Sequence, residues 1–225
     1  MRGFSGAFIA ITGVFYIMLM TNLMIAVTAA PFWFFAVFAD VREVWPWAGL
    51  TSILLAPALW GTYAVFRSFF LDTSTSAIRT YFRAWWDSWK RLWPVALFFS
   101  AYFSLIAADL WVMKQWGYGS LALPVAAMLA IVGLATASVA WIGLAARPDL
   151  GRRAVLKASL YLSIRKAGWS LFSVAILVMI ACITWVRPAI GLGLVMCPAL
   201  CVVWSNSRKV FADYLPESEL RGAEE

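Results

Sequence analysis

Three cysteines, Cys182, Cys197 and Cys201, and no histidine make up the soft-ligand inventory of this 225-residue chain. Cys197 and Cys201 are spaced i, i+4 and share one face if that stretch is helical, as a thiol pair or soft-metal site would need. Cysteine is also a small apolar filler in membrane helices, so both readings stand at this point. Without histidine, the commonest metal ligand and the side chain that titrates near neutrality are missing. No GxxxxGK(S/T) phosphate loop, HExxH zinc motif or GxSxG nucleophile elbow occurs, and no carboxylates pair at catalytic spacing. Neither enzymatic chemistry nor a bound cofactor is expected.

The polar groups that remain inside apolar runs are few. Burying one in hydrocarbon is costly unless it is paired or wet, so each marks a structural or functional site. Asp109 lies about one turn from the end of an apolar run, within reach of Lys114, Arg42 or Arg187. That placement fits an ion pair, exposure to interface water, or a substrate or proton site. Asn22, with Thr21 and Thr28, is the main polar group near the middle of the first apolar run, where an amide can hydrogen-bond across helices. Asn22 and Asp109 are thus the candidate intramembrane polar site.

The elements that position these residues follow from composition. Hydrophobic residues are 64% of the chain and charged residues 13%, with a mean hydropathy of +0.83, outside the balance of a water-soluble domain. The expectation is an all-α integral membrane protein, one bundle of about six transmembrane helices. The spans fall at about 8–37, 47–71, 93–113, 120–146, 168–186 and 188–211. The first run is too long and bulky for a cleaved leader. Pro31 and Pro57 should kink or break the first two spans, and Arg187-Pro188 alone joins the last two in a tight hairpin. Gly61, Ala64, Gly133, Ala137, Gly143, Gly191 and Gly193 permit close helix crossings.

The formal net charge is +7, but the basic residues sit between apolar runs, where they set orientation, and leave no nucleic-acid footprint. Fifteen of the eighteen Lys and Arg fall on one side of the six spans; Arg42, Lys114 and Arg187 fall on the other. The positive-inside rule makes the first side, with both termini, cytoplasmic. Trp45, Trp47, Trp111, Trp116 and Trp185 then lie near the outer interface, and Trp89, Trp93, Trp169 and Trp204 towards the inner one.

Two cytoplasmic loops carry amphipathic helices. In the first, Ile78, Tyr81, Phe82, Trp85, Trp86, Trp89 and Trp93 recur at helical spacing amid Arg79, Arg83, Asp87, Lys90 and Arg91, after the capping-type run 72–75. Such a helix should lie among headgroups or dock on a partner. In the second, Leu156, Leu160 and Ile164 mark one face amid Arg152, Arg153, Lys157, Arg165 and Lys166. An offset of about 76 residues maps spans two and three onto spans four and five, which suggests a parallel repeat.

Asn22-Leu23 in a long first span, the stretch from Pro57 to Ala64, and Tyr81-Phe82-Arg83-Ala84-Trp85-Trp86 opening an amphipathic helix together resemble the YesL family of small bacterial membrane proteins. The resemblance implies a bacterial cytoplasmic-membrane location and an accessory role in carbohydrate uptake, beside an ABC importer. The chain lacks the nucleotide loop of the ATPase and the coupling loop of the permease. The leading expectation is therefore an accessory or scaffold subunit. It would bind the permease through Phe82, Arg83, Trp85, Trp86 and Trp89 of one helix and Arg152, Arg153 and Lys157 of the other. A second copy of the chain is another partner to consider, and membrane lipid is the surrounding one. The alternative is a self-sufficient small-solute transporter or channel, with Asn22 and Asp109 lining its path.

Overall fold

A chain that leaves water must satisfy its backbone hydrogen bonds internally, and helices do so within each segment. The computed structural model describes residues 2–38, 41–71, 76–146 and 151–212, with side chains described for 12–37, 46–70, 76–145 and 151–212. The described residues are almost wholly helical and contain no strand. Among them, ten α-helices run in order: α1 (Arg2–Thr28), α2 (Ala30–Trp33), α3 (Val41–Thr51), α4 (Leu55–Leu71), α5 (Ala77–Gln115), α6 (Gly119–Ala146), α7 (Arg152–Arg165), α8 (Ala167–Val186), α9 (Pro188–Ile190) and α10 (Met196–Phe211). Five described helical stretches are long and apolar enough to cross a membrane: Pro46–Phe70, Ala77–Gln115, Gly119–Ala145, Ala167–Val186 and Pro188–Phe211. A sixth is counted if Thr12–Thr28 and Ala30–Val37, bent by 75° at Ala29, form one crossing.

Of the expected kinks or breaks, the first is a bend of 75° near Pro31 and the second is a change of helix type just before Pro57. Pro31 cannot donate to the preceding turn, so α1 stops at Thr28 and a new helix starts with Pro31 in its first turn. Pro57 lies in the first turn of α4, directly after a 3₁₀ turn over Ser52–Leu54, where its missing N–H costs least. Beyond Pro198 in the last span the missing donor leaves Leu194 without an i+4 partner, and a π turn over Gly191–Val195 absorbs the mismatch. The path of α1 departs from a straight span. At its end Thr28 shares a 2.7 Å hydrogen bond with the Tyr81 hydroxyl, one turn from the start of α5. The carboxyl end of α1 is therefore held inside the bundle against the α4–α5 hairpin.

Two expectations about the amphipathic segments are corrected. The first is not a separate helix: α5 runs unbroken through Pro94 for 39 residues. At 1.5 Å per residue that is about 58 Å, roughly twice a hydrocarbon core of about 30 Å. Its aromatic face also splits. Tyr81 is fully buried and Trp85 and Trp89 half-buried, whereas Ile78, Phe82, Trp86 and Trp93 face outward. The stripe that α5 buries is instead Ala77, Tyr81, Ser88, Leu92, Val95 and Phe99. In α7 the buried face is Val155, Ser159, Leu162 and Ser163, while Leu160 and Ile164 point away from the bundle and Leu156 is only partly covered. Trp204 is likewise core, stacked on Phe70 at 5.4 Å, not a member of an exposed belt.

Close approaches at glycine explain this choice of faces. A Cβ on Gly61 would fall 2.9 Å from the Tyr81 ring, and one on Gly143 would fall 2.7 Å from Val155 and 2.9 Å from Phe211. Only hydrogen fits, so Tyr81 and Val155 can bury where the aromatic and leucine stripes cannot. Charged residues gather where α4, α6 and α10 end and α5 and α8 begin. At this basic end Lys166 Nζ donates to the Lys209 and Val210 carbonyls at 3.4 and 3.1 Å, capping α10 with a cation. Arg208 lies over the Trp204 ring and Lys209 over the Trp169 ring, at 4.8 and 5.4 Å.

Candidate functional site

Asn22 is the most elaborately held polar side chain among the described residues. It is buried on α1 and its amide inserts into the ladder of the last span: Nδ2 donates to the Gly193 carbonyl at 2.8 Å, and Oδ1 accepts the Cys197 N–H at 2.7 Å. In an unbroken α-helix Gly193 and Cys197 would bond to each other. Met196 instead donates to Gly191, five residues back, which displaces that pairing. The carboxamide, itself a peptide-like group, satisfies both orphans. The geometry is interhelical adhesion at the π turn, and the adjoining groove of about 430 Å³ is almost entirely apolar.

Asp109 is exposed on α5 and makes no ion pair among the described residues; Lys114 and Arg187 are exposed as well. The side chain of Arg42 lies outside the described residues. Asn22 and Asp109 are not brought together, and no described cavity is lined by both. Cys197 is buried with its Sγ 3.4 Å from Met18 Sδ, Cys201 is partly buried, and no cluster of metal-ligating side chains occurs among the described residues.

A central cavity of about 360 Å³ lies where α1, α4, α5, α6, α8 and α10 converge, lined chiefly by apolar groups such as Ile25, Tyr63, Phe99 and Trp141. Two of its lining polar atoms, Trp33 Nε1 and Thr184 Oγ1, are buried without a hydrogen-bond partner. Ser52 and Ser100, which also line the cavity, form with the Gly49 carbonyl a hydrogen-bonded cluster with contacts of 2.6 to 2.9 Å. Sequence reading passed over these hydroxyls. It also passed over Asn206, which donates to the Trp169 carbonyl at 2.6 Å and to Ser173 Oγ at 2.5 Å, tying α10 to α8. The available signal was the spacing of Ser170, Ser173, Asn206 and Ser207 at one end of two apolar runs.

The other proposed residues sit on the amino-terminal turns of α5 and on α7. Phe82 and Trp86 form an outward ridge with Ile78 and Trp93, and Trp86 is 66% exposed. Trp85 and Trp89 sit behind it, half-buried, with rings 5.8 Å apart. Arg79, Arg83, Asp87 and Arg91 occupy the neighbouring face, one turn apart from each other. On α7, Arg152, Arg153 and Lys157 are exposed beside Leu160, Tyr161 and Ile164.

Fold and site together define an all-α, multi-pass membrane protein whose longest helix is basic and aromatic at its amino-terminal end. Among known proteins, no family model, no curated protein and no solved structure matches the chain.

Proposed function

We propose that the protein is an accessory or scaffold subunit that binds another membrane protein through the ridge of α5 and the outward face of α7. The observation that carries this reading is the aromatic ridge itself. Ile78, Phe82 and Trp86 are exposed in the first three turns of a helix about twice as long as a hydrocarbon crossing, and in this reading that end lies among headgroups, where a partner and not lipid tails would cover them. Exposed aromatics beside arginines are the composition of a protein-binding hot spot. The resemblance to YesL proteins supplies the partner to test first, the permease of a bacterial carbohydrate ABC importer. In this reading the basic end, with both terminal segments, faces the cytoplasm of a bacterial inner membrane.

Co-purification in mild detergent from the native host tests it. Permease and ATPase subunits are expected in fixed ratio with the tagged protein, and Phe82→Ala with Trp86→Ala should lower their recovery by about tenfold or more, since such anchors carry about 2 kcal/mol each. Unchanged recovery would remove the ridge as the contact. The bent α1–α2 pair gives orientation its own check. A single cysteine at Ser5, in a cysteine-free background, should react with a membrane-impermeant maleimide only after cells are opened. Labelling of intact cells would place that segment outside and make the first pair a re-entrant hairpin.

The transporter alternative draws on the central cavity, whose lining is poor in the charged and polar groups that solute paths use. Reconstituted flux from the protein alone would revive it.

A further inference from the structure

We infer that the groove between α4 and the basic face of α5 holds the headgroup of an anionic phospholipid. This open groove, of about 730 Å³, is lined by Trp60 and Ala64 on α4 and by Arg79, Arg83, Asp87 and Arg91 on α5. The four charged residues are spaced four apart, so they rise along one face in steps of about 6 Å. None of the three arginines makes an ion pair or side-chain hydrogen bond among the described residues. Three guanidinium forks against one carboxylate leave the groove positive and short of acceptors, which a phosphate supplies with bidentate geometry. Asp87, set between the arginines, is an acceptor for headgroup hydroxyls.

The continuation of this face along α5 selects a lipid over a free anion. Seven and fourteen residues beyond Arg91 it carries Phe98 and Leu105, which are 55% and 64% exposed. Charge at one end and bare apolar surface at the other is the shape of a phospholipid lying along a helix, with its phosphate at the arginines and its chains towards the far end. Trp93, at the junction and half exposed, is the residue type that settles at the headgroup boundary. Basic clefts between helices at the cytoplasmic side recognise lipid phosphates in this way. The groove shares Arg79 and Arg83 with the pocket behind the aromatic ridge but is not lined by Phe82 or Trp86, so loss of the lipid and loss of a protein partner can be told apart at Trp86.

Native mass spectrometry of the detergent-purified protein, titrated with phosphatidylglycerol or phosphatidylcholine of the same chain length, tests it. The wild type should retain one phosphatidylglycerol about thirtyfold in preference to phosphatidylcholine, as two net charges at about 1 kcal/mol each imply. The Arg79→Gln, Arg83→Gln, Arg91→Gln variant should lose that preference, and Trp86→Ala should keep it. If the triple variant does not yield folded protein by circular dichroism, Arg83→Gln alone should still lower the preference measurably. Equal retention of both lipids by the wild type, or an unchanged preference in a folded variant, would overturn the inference. So would displacement of the lipid by millimolar inorganic phosphate, which would assign the groove to a soluble anion.

Discussion

Gly191→Ala should destabilise the protein by about 3 kcal/mol, while Gly193→Ala, two residues away, should change stability by no more than a few tenths. The contrast arises from the surroundings each added methyl would meet. At Gly191 a Cβ would lie 2.6 Å from the Thr184 Cα and 2.8 Å from its backbone nitrogen, besides striking the Thr184 hydroxyl. Backbone cannot rotate out of the way as a side chain can, so α8 and α9 must separate, and the hairpin hinged at Arg187 opens. At Gly193 nothing lies within 4 Å. Reversible unfolding of the purified protein in mixed micelles measures both. Equal destabilisation by the two variants would show that the cost does not come from contact at Thr184, since alanine alone favours a helix over glycine.

Asn22→Leu should cost about 2 kcal/mol, because it strands the Gly193 carbonyl and the Cys197 N–H in the bundle interior at once. Amide bonds between membrane helices are often worth less, since the unfolded state in lipid also finds partners. Here the two backbone groups sit at a π turn, held apart by Pro198, and cannot simply re-pair. Asn22→Gln should recover little, because one more methylene moves the amide out of register with both partners. A helix in which Gly193 and Cys197 had re-bonded would appear as an effect below about 0.5 kcal/mol, the lower range for such bonds.

Five long apolar helices were legible because lipid imposes a length and a composition on every crossing, and the charge asymmetry of the loops marks their ends; the first run, expected to span over about 8–37, is a pair of helices bent by 75°. Arg187-Pro188 reads directly as the last hairpin for that reason. Orientation of the helix faces was not legible in the same way. Hydropathy separates oil from water, but in a membrane both the lipid-facing and the core-facing sides are apolar. Leu156, Leu160 and Ile164 are more hydrophobic than the Val155, Ser159 and Leu162 stripe that α7 buries. What decided the matter was a small residue on the opposing helix, Gly143, and the pairing of a glycine with one bulky side chain cannot be read from either segment alone. The same holds at Gly61 and Tyr81.

The continuity of α5 was hidden by Pro94, which breaks helices in water and is tolerated in a membrane bundle. Asn22 was identifiable as polar and central, but its partners are backbone groups 171 and 175 residues away, and backbone atoms leave no mark in sequence. The serines and Asn206 at the basic end were missed because small hydroxyls count as neutral filler in an apolar run.

The ridge of α5 is the feature on which the proposed function depends, and photo-crosslinking in the native membrane tests it most directly. A photoreactive amino acid at Phe82 or Trp86 should crosslink in high yield to a single membrane protein, the importer permease if the YesL resemblance holds. The same group at Leu121 or Met128, exposed on α6, should crosslink only lipid. Crosslinks from Phe82 and Trp86 confined to lipid, like those from α6, would contradict the scaffold reading and leave the ridge as a membrane anchor.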